Sequence, residues 1–217
     1  YGWTGTLLAV SPAYDIIESP TLTFTTPVIQ DQVQDYDAKL KKFTVSGSIL
    51  DLNPGVDEPI TITANCSNPG FYQTIAADAT SGSYTMTLPY GWQGALAASS
   101  AAYIFIEDPA VTFSSPVTQD QIQDYRAKLK MFSVSGTIYQ SSSGNPPLAG
   151  AQLTVKGLAT WANYQQIALT NDQGYYSFEV PYGFSGSAVA SKSGYTFTPP
   201  SRSYANVTAS IGGHYYL

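Results

Sequence analysis

Histidine occurs once and cysteine once in 217 residues, and charged side chains make up only 11% of the chain. Each shortage removes a class of function. With His214 as the one imidazole, a zinc site built from clustered histidines is excluded, and a Ser-His-Asp triad would have to use that residue. Cys66 has no second cysteine to bridge, so the fold rests on its core and not on disulfides. It stands in phase with Ile60, Ile62 and Ala64 and reads as a small buried hydrophobe. There is no G-x-S-x-G, no H-E-x-x-H and no glycine-rich phosphate loop. No apolar run approaches the roughly 20 residues of a membrane span, and these residues read as containing no signal peptide, which a secreted protein would already have lost. Nine basic residues against 15 acidic give a net charge of −6, which leaves no electrostatic footprint for nucleic acid or an anionic membrane. Charged residues ordinarily approach about a quarter of a globular chain. Here Ser, Thr, Asn, Gln and Tyr must form the surface, a polar but uncharged skin that suits an extracellular or secreted protein.

Repetition is what the sequence has in abundance. The stretch YGWTGTLLAVSPAYDIIESPTLTFTTPVIQDQVQDYDAKLKKF at 1–43 returns without a gap as YGWQGALAASSAAYIFIEDPAVTFSSPVTQDQIQDYRAKLKMF at 90–132. A looser third copy opens at Tyr182 with YGFSGSAVASKSGYTFTPP. A period near 90 residues is the size of a small β-sandwich. The expected organisation is the carboxy-terminal half of a repeat at 1–42, a complete repeat at 43–131 and a complete final repeat at 132–217. Nothing like FTVSGSIL (43–50) or ITITANC (60–66) precedes Tyr1, so the first copy needs strands from upstream chain or from another molecule. The later copies have none to spare, which favours the upstream source. The final copy ends without an AKLK segment and reads as a terminus closed by its last strand.

Within the complete copies, short alternating runs alternate with turn signals about every ten residues, the pattern of an all-β sandwich. Phe43, Val45, Gly47 and Ile49 form a period of two, as do Ile60, Ile62 and Ala64, and then Tyr84, Met86 and Leu88. Ile75 and Ala77 lie between them, ahead of an acidic loop at Asp78. Turns are expected at Asn53-Pro54-Gly55 and Asn68-Pro69-Gly70. The last copy repeats the order with Phe132, Val134, Gly136 and Ile138, then Leu153 and Val155, Ile167 and Leu169, the turn Asn171-Asp172-Gln173-Gly174, and Tyr176, Phe178 and Val180. Two joints, 36–43 and 125–132, contain no Gly, Pro or Ser and so do not resemble flexible linkers. One sandwich should run almost directly into the next at a fixed angle. Lys39, Lys41, Lys42, Arg126, Lys128 and Lys130 lie there near Asp35, Asp37 and Asp124. They form either a solvated, lysine-protected edge or an inter-unit ion-pair set, the latter contributing only about 0–1 kcal/mol per exposed pair.

The segments SVSGTIYQSSSGNPPLAGAQLTV (133–155), NDQGYYSFEVPYGFSGSAVASKSGYTFTPPSRSY (171–204) and NVT (206–208) resemble the carboxypeptidase regulatory-like family. The resemblance implies tandem seven-stranded Greek-key sandwiches of transthyretin or Ig-like type, found in bacterial secreted and cell-surface proteins. It carries no function with it, because such modules are scaffolds. Related collagen-adhesin B-type modules can form Lys–Asn cross-links. The first strands here carry no lysine, and Glu179 points outward beside Phe178 and Val180, so no such cross-link is expected.

Three constellations remain. Asp57-Glu58, Glu107-Asp108 and the repeated Gln-Asp-Gln at 30–32 and 119–121 offer oxygens to Ca²⁺, but they are dispersed and lack an EF-hand spacing, and solvated turns are the expectation. No cofactor and no metal is expected. Asn65-Cys66-Ser67 and Asn206-Val207-Thr208 match the glycosylation pattern, and no sugar is expected on either. Tyr1-Gly2-Trp3, Tyr90-Gly91-Trp92 and Tyr182-Gly183-Phe184 recur once per unit after a strand end. Tyr1, Trp3, Tyr90, Trp92, Tyr182 and Phe184 are therefore a candidate aromatic platform for sugar rings. Recurrence in every unit favours instead a structural corner that closes the end of the sandwich, since a structural need repeats. The expected function is non-enzymatic: a semi-rigid extracellular stalk or filament on a bacterial surface, associating with copies of itself or neighbouring repeats. The alternative is an adhesin or carbohydrate-binding module of a larger secreted protein, with surface polysaccharide as partner.

Overall fold

The computed structural model describes residues 2–66 and 70–217. Almost every regular element is a strand. The first cassette holds β1 (Trp3–Leu8), β2 (Tyr14–Ile16), β3 (Thr21–Val28) and β4 (Ala38–Leu40). Next come β5 (Lys42–Leu50), β6 (Ile60–Cys66), β7 (Phe71–Ala76) and β8 (Ser83–Pro89). The second cassette holds β9 (Gly94–Ser100), β10 (Tyr103–Phe105), β11 (Ala110–Phe113), β12 (Gln121–Ile122) and β13 (Tyr125–Leu129). Then follow β14 (Met131–Ile138), β15 (Gln152–Gly157), β16 (Gln165–Leu169), β17 (Tyr175–Pro181), β18 (Phe184–Ser191), β19 (Ser201–Val207) and β20 (Ile211–Tyr216), with one 3-10 turn at Ala159–Trp161. The chain is an all-β protein of sandwich type.

Compactness divides the chain into two units: Tyr1–Ile49 with Thr61–Ala98 and Asp108–Tyr125, and Leu50–Ile60 with Ser99–Glu107 and Arg126–Leu217. The sequence repeat marks different points. Only Lys41 separates β4 from β5, and only Lys130 separates β13 from β14.

In the second unit, β17-β14-β20 form one sheet and β16-β15-β18-β19 another. Alternating residues from both, among them Val134, Ile138, Leu153, Val155, Phe178 and Tyr216, fill a single core. β14 pairs antiparallel with β17 and parallel with β20, where Val134 lies opposite Ile211 and Gly136 opposite His214. Tyr216 then donates its hydroxyl to the Ala188 carbonyl at 3.3 Å, from one sheet to the other. The expected turn at 171–174 is present: the Asn171 side chain accepts the N–H groups of Gln173 and Tyr175, and Gly174 takes a positive φ of 69°. One expected phase is reversed. Ile167 and Leu169 point outward, while Ala168 and Thr170 point inward. The cause is a buried polar contact: the Thr170 hydroxyl donates to the Leu148 carbonyl at 2.6 Å and accepts the Ala151 N–H at 2.8 Å. That pair of bonds fixes the strand one residue out of the phase its apolar residues suggest.

In the first unit, β5 pairs antiparallel with β8 and parallel with β12, and β11-β9-β6-β7 form a four-stranded sheet. Val45, Ile49, Ile62, Ala64, Tyr84, Met86 and Leu88 are buried as their alternation predicts, and Cys66 is a buried thiol. Carboxylates close the edge of β5. Asp120 accepts the Thr44 N–H and Asp124 the Ser48 N–H, each at 2.8 Å, on either side of the short β12 pairing. The Asp78 loop is a local turn in which one carboxylate oxygen accepts from Thr80 and Ser81. Of the Asn68-Pro69-Gly70 turn, the first two residues lie outside the described ones.

The joints are not the ion-pair set that proximity in sequence suggested. Asp124 is committed to Ser48, and the ion pairs among the described residues are Lys41–Asp15 at 4.0 Å and Arg126–Asp51 at 3.0 Å. Lysines reach carbonyls instead: Lys41 donates to Ser11 at 3.4 Å, and Lys130 donates to Ser100 at 3.1 Å and Ala101 at 2.7 Å. A joint ammonium thus anchors the preceding hairpin bend in both copies.

The buried tyrosines give the fold an alkaline limit. Burial, with Asp108 adding to it, pushes Tyr125 up to about 12; burial raises Tyr216 to about 12 against an opposing pull from Arg202. Burial likewise raises Tyr84, Tyr176 and Tyr204. A phenol whose folded pKa exceeds its unfolded value near 10 holds its proton more tightly when folded, so its stabilisation is complete below pH 10 and lost as pH climbs toward 12. In an alkaline titration the tyrosinate absorbance of these five phenols should therefore appear only together with loss of β circular dichroism, above about pH 10. β circular dichroism unchanged after all 17 tyrosines have ionised would contradict this.

Candidate functional site

The repeated aromatic element buries two of its rings, Trp92 and Phe184, as a structural corner would, and leaves others at the surface. Tyr1 lies outside the described residues. Trp92 is buried, its ring 5.5 Å from Phe113 and laid over Gly94, where a Cβ would stand 2.7 Å from the indole. Phe184 is buried in the same way, over Gly186 and 5.3 Å from Tyr164. Neither ring can stack on a ligand. Trp3 packs 5.6 Å from Phe24 over Gly5 and remains half exposed. Tyr90 and Tyr182 are partly buried against Phe43 and Phe132, at 6.3 and 6.2 Å.

Tyr182 nevertheless opens onto a groove. Its hydroxyl donates to Glu58 Oε2 at 3.1 Å, and burial together with that carboxylate raises its pKa, so the phenol keeps its proton at neutral pH. The groove encloses about 210 Å³ and is walled by Glu58, Thr160, Trp161, Tyr182, Ser185 and Asn206. Its walls are held by local geometry. Trp161 donates its N–H to the Leu158 carbonyl at 3.0 Å and sits on Gly157, which has no room for a Cβ. Asn206, at a φ of 47°, donates its N–H to Ser185 Oγ at 3.0 Å. Ala159 holds a φ of 52°, a left-handed conformation that costs a residue with a Cβ about 1–2 kcal/mol. Two left-handed residues that are not glycine thus border one groove, the kind of local strain that clusters at recognition surfaces.

Chemically, the groove offers a carboxylate, a phenol, two hydroxyls, an amide and an indole. It can hydrogen-bond and stack one small polar ring, and it is smaller than the roughly 300–1,000 Å³ of ordinary ligand pockets. Asp57-Glu58 had drawn notice in the sequence as a calcium pair, but Glu58 is engaged by Tyr182. Of the other acids, Asp108 accepts the Ala110 N–H at 3.0 Å and Asp120 the Thr44 N–H. Among the described residues, no group of three or more His, Cys, Asp or Glu could hold a metal ion. His214 lies on β20 with its ring stacked 5.8 Å from Tyr204, and burial, then Arg202, lowers its pKa. Trp161 had no signal in the sequence: it sits in a turn outside any alternation, and only the fold brings it to Tyr182 and Glu58.

No helix among the described residues is long and apolar enough to cross a membrane. No family profile and no curated protein sequence matches the chain. Among solved structures, a streptococcal ancillary pilin aligns over 95% of this chain and 73% of its own at 12% identity and a TM-score of 0.36. The minor pilin GBS52 of Streptococcus agalactiae aligns over 80% and 95% at 7% identity and 0.33. At those scores the alignments carry no conclusion about this chain. The Bacillus anthracis TIE protein aligns with a TM-score of 0.60 at 14% identity, over 84% of this chain but only 36% of its own length, a likeness of fold alone.

Proposed function

We propose that this chain is a stretch of a non-enzymatic extracellular protein in which β-sandwich repeats act as a semi-rigid stalk or filament on a bacterial surface, in the manner of a pilus or adhesin shaft. The observation that carries the reading is the joint. The same lysine follows the same strand in both copies, is bonded to the same hairpin bend, and leaves one residue between β4 and β5 and between β13 and β14. An array whose units touch only their neighbours transmits length with few distinct contacts. The uncharged Ser, Thr and Tyr surface supports association with copies or neighbouring repeats outside the cell. Electron microscopy of native material tests this: thin filaments with a regular axial repeat are expected, and dispersed beads with variable spacing would refute it.

A second reading is favoured by the groove at Tyr182, whose indole, phenol and carboxylate suit a sugar ring of a surface polysaccharide. Isothermal titration with a panel of glycans, repeated on Trp161→Ala and Glu58→Gln, tests it. Heat that both substitutions abolish supports an adhesin, and absence of heat from every glycan ends that reading.

A further inference from the structure

We propose that residues 1–42 are an acceptor for an amino-terminal half-module of this repeat's own kind, the strand set that residues 43–89 represent in this chain. The first cassette already has the backbone of the second. β1 pairs with β3 through Gly5–Phe24 and Leu7–Leu22, as β9 pairs with β11 through Gly94–Phe113 and Leu96–Val111. β2 pairs with β4 through Tyr14–Leu40, as β10 pairs with β13 through Tyr103–Leu129. The Gly2 N–H reaches the Val28 carbonyl as the Gly91 N–H reaches Val117.

Burial separates the two copies. Trp3, Leu7 and Tyr14 are 49%, 49% and 45% exposed, whereas their counterparts Trp92, Leu96 and Tyr103 are 3%, 0% and 3%. Identical residues at these three positions and equal pairing with opposite burial mean that the first copy lacks the covering layer the second has.

Polar groups identify that layer. In the second copy, Asp120 and Asp124 accept the N–H groups of Thr44 and Ser48, and the Gln123 N–H donates to the Ser46 carbonyl at 2.9 Å. Asp31, Gln34 and Asp35 repeat these residues, yet no described residue supplies Asp31 or Asp35 with a backbone N–H. The occupant must therefore be a strand with two N–H donors four residues apart, apolar side chains between and beyond them, and a glycine where the carbonyl of Gln34 approaches. That is the chemistry of 43–49. A second copy of this chain is a poor source, because its own β5 is already engaged by β12, Asp120 and Asp124.

The test adds a copy of residues 43–89 directly ahead of Tyr1 in the full chain, so that it enters the Tyr-Gly-Trp corner as Pro89 enters Tyr90. Amide exchange over 3–8 and 34–36 is expected to slow at least about tenfold. Asp31→Ala with Asp35→Ala should reverse that protection in the extended chain and leave the unextended chain unchanged. Unchanged exchange over 3–8 in the extended chain overturns the proposal, whether the added segment folds elsewhere or not at all. An unextended chain that sediments as a dimer with 3–8 already protected also overturns it, by showing a second copy as the occupant.

Discussion

Gly136→Ala is expected to destabilise the second unit by about 3 kcal/mol or more, at the upper end of what overpacking costs, and to separate β20 from β14. An ideal Cβ at this position stands 1.9 Å from the His214 carbonyl oxygen and 2.6 Å from the Tyr176 hydroxyl. The first obstacle is backbone on a strand paired in parallel with β14, so it cannot rotate away as a side chain would. Relief requires moving β20, which carries Tyr216 and its bond to Ala188 across the core. Gly47→Ala repeats the experiment in the other unit, where the Cβ would stand 1.8 Å from the Gln123 carbonyl. Gly212→Ala is the control: its nearest neighbour is Ser135 Oγ at 3.7 Å, and the change should stay within about 0.5 kcal/mol. Urea unfolding of the three variants checks the set. A domain of ordinary stability has only about 5–15 kcal/mol to lose, so equal midpoints for Gly136→Ala and Gly212→Ala would show that β14 and β20 do not approach in solution as described.

That pair of glycines also shows how far the sequence could be read. The alternation around Val45 and Val134 marked the strands, because a half-buried strand must place apolar residues on one face at a period of two. Gly47 and Gly136 appeared as inward positions in that alternation. Nothing in it said that they were small because another strand passes over them. The same limit explains Ile167 and Leu169: hydropathy set their phase inward, while two bonds to the Thr170 hydroxyl, invisible without the positions of Leu148 and Ala151, set it outward. Asp120 read as part of a solvated turn and Asp124 as an acid beside the joint's basic residues, and only pairing in space reveals them as caps on a sheet edge. Local pattern was legible; contacts between distant segments were not. The Tyr-Gly-Trp/Phe element lay between these cases. Its repetition pointed to a structural corner, but which rings the corner buries depends on the layer above it.

The two tryptophans of that element should therefore respond very differently to truncation. Trp92→Ala empties a large buried site against Phe113 and should cost about 3 kcal/mol, the low end of the range for core Trp→Ala changes. The low end is expected because the Trp92 Nε1–H is buried without an acceptor, and its removal recovers part of a desolvation cost of about 1–3 kcal/mol. Trp3→Ala removes an equivalent ring that solvent already reaches, and should cost about 1 kcal/mol or less. Thermal or urea unfolding of each single variant measures the difference. If residues 1–42 accept a half-module as proposed, the ranking is conditional: in the chain extended with a copy of 43–89, Trp3→Ala should become as costly as Trp92→Ala, because its ring then lies under the same layer. A Trp3 cost unchanged by the extension would leave the first cassette with its present exposed face, and the equivalence of the two copies would stop at the backbone.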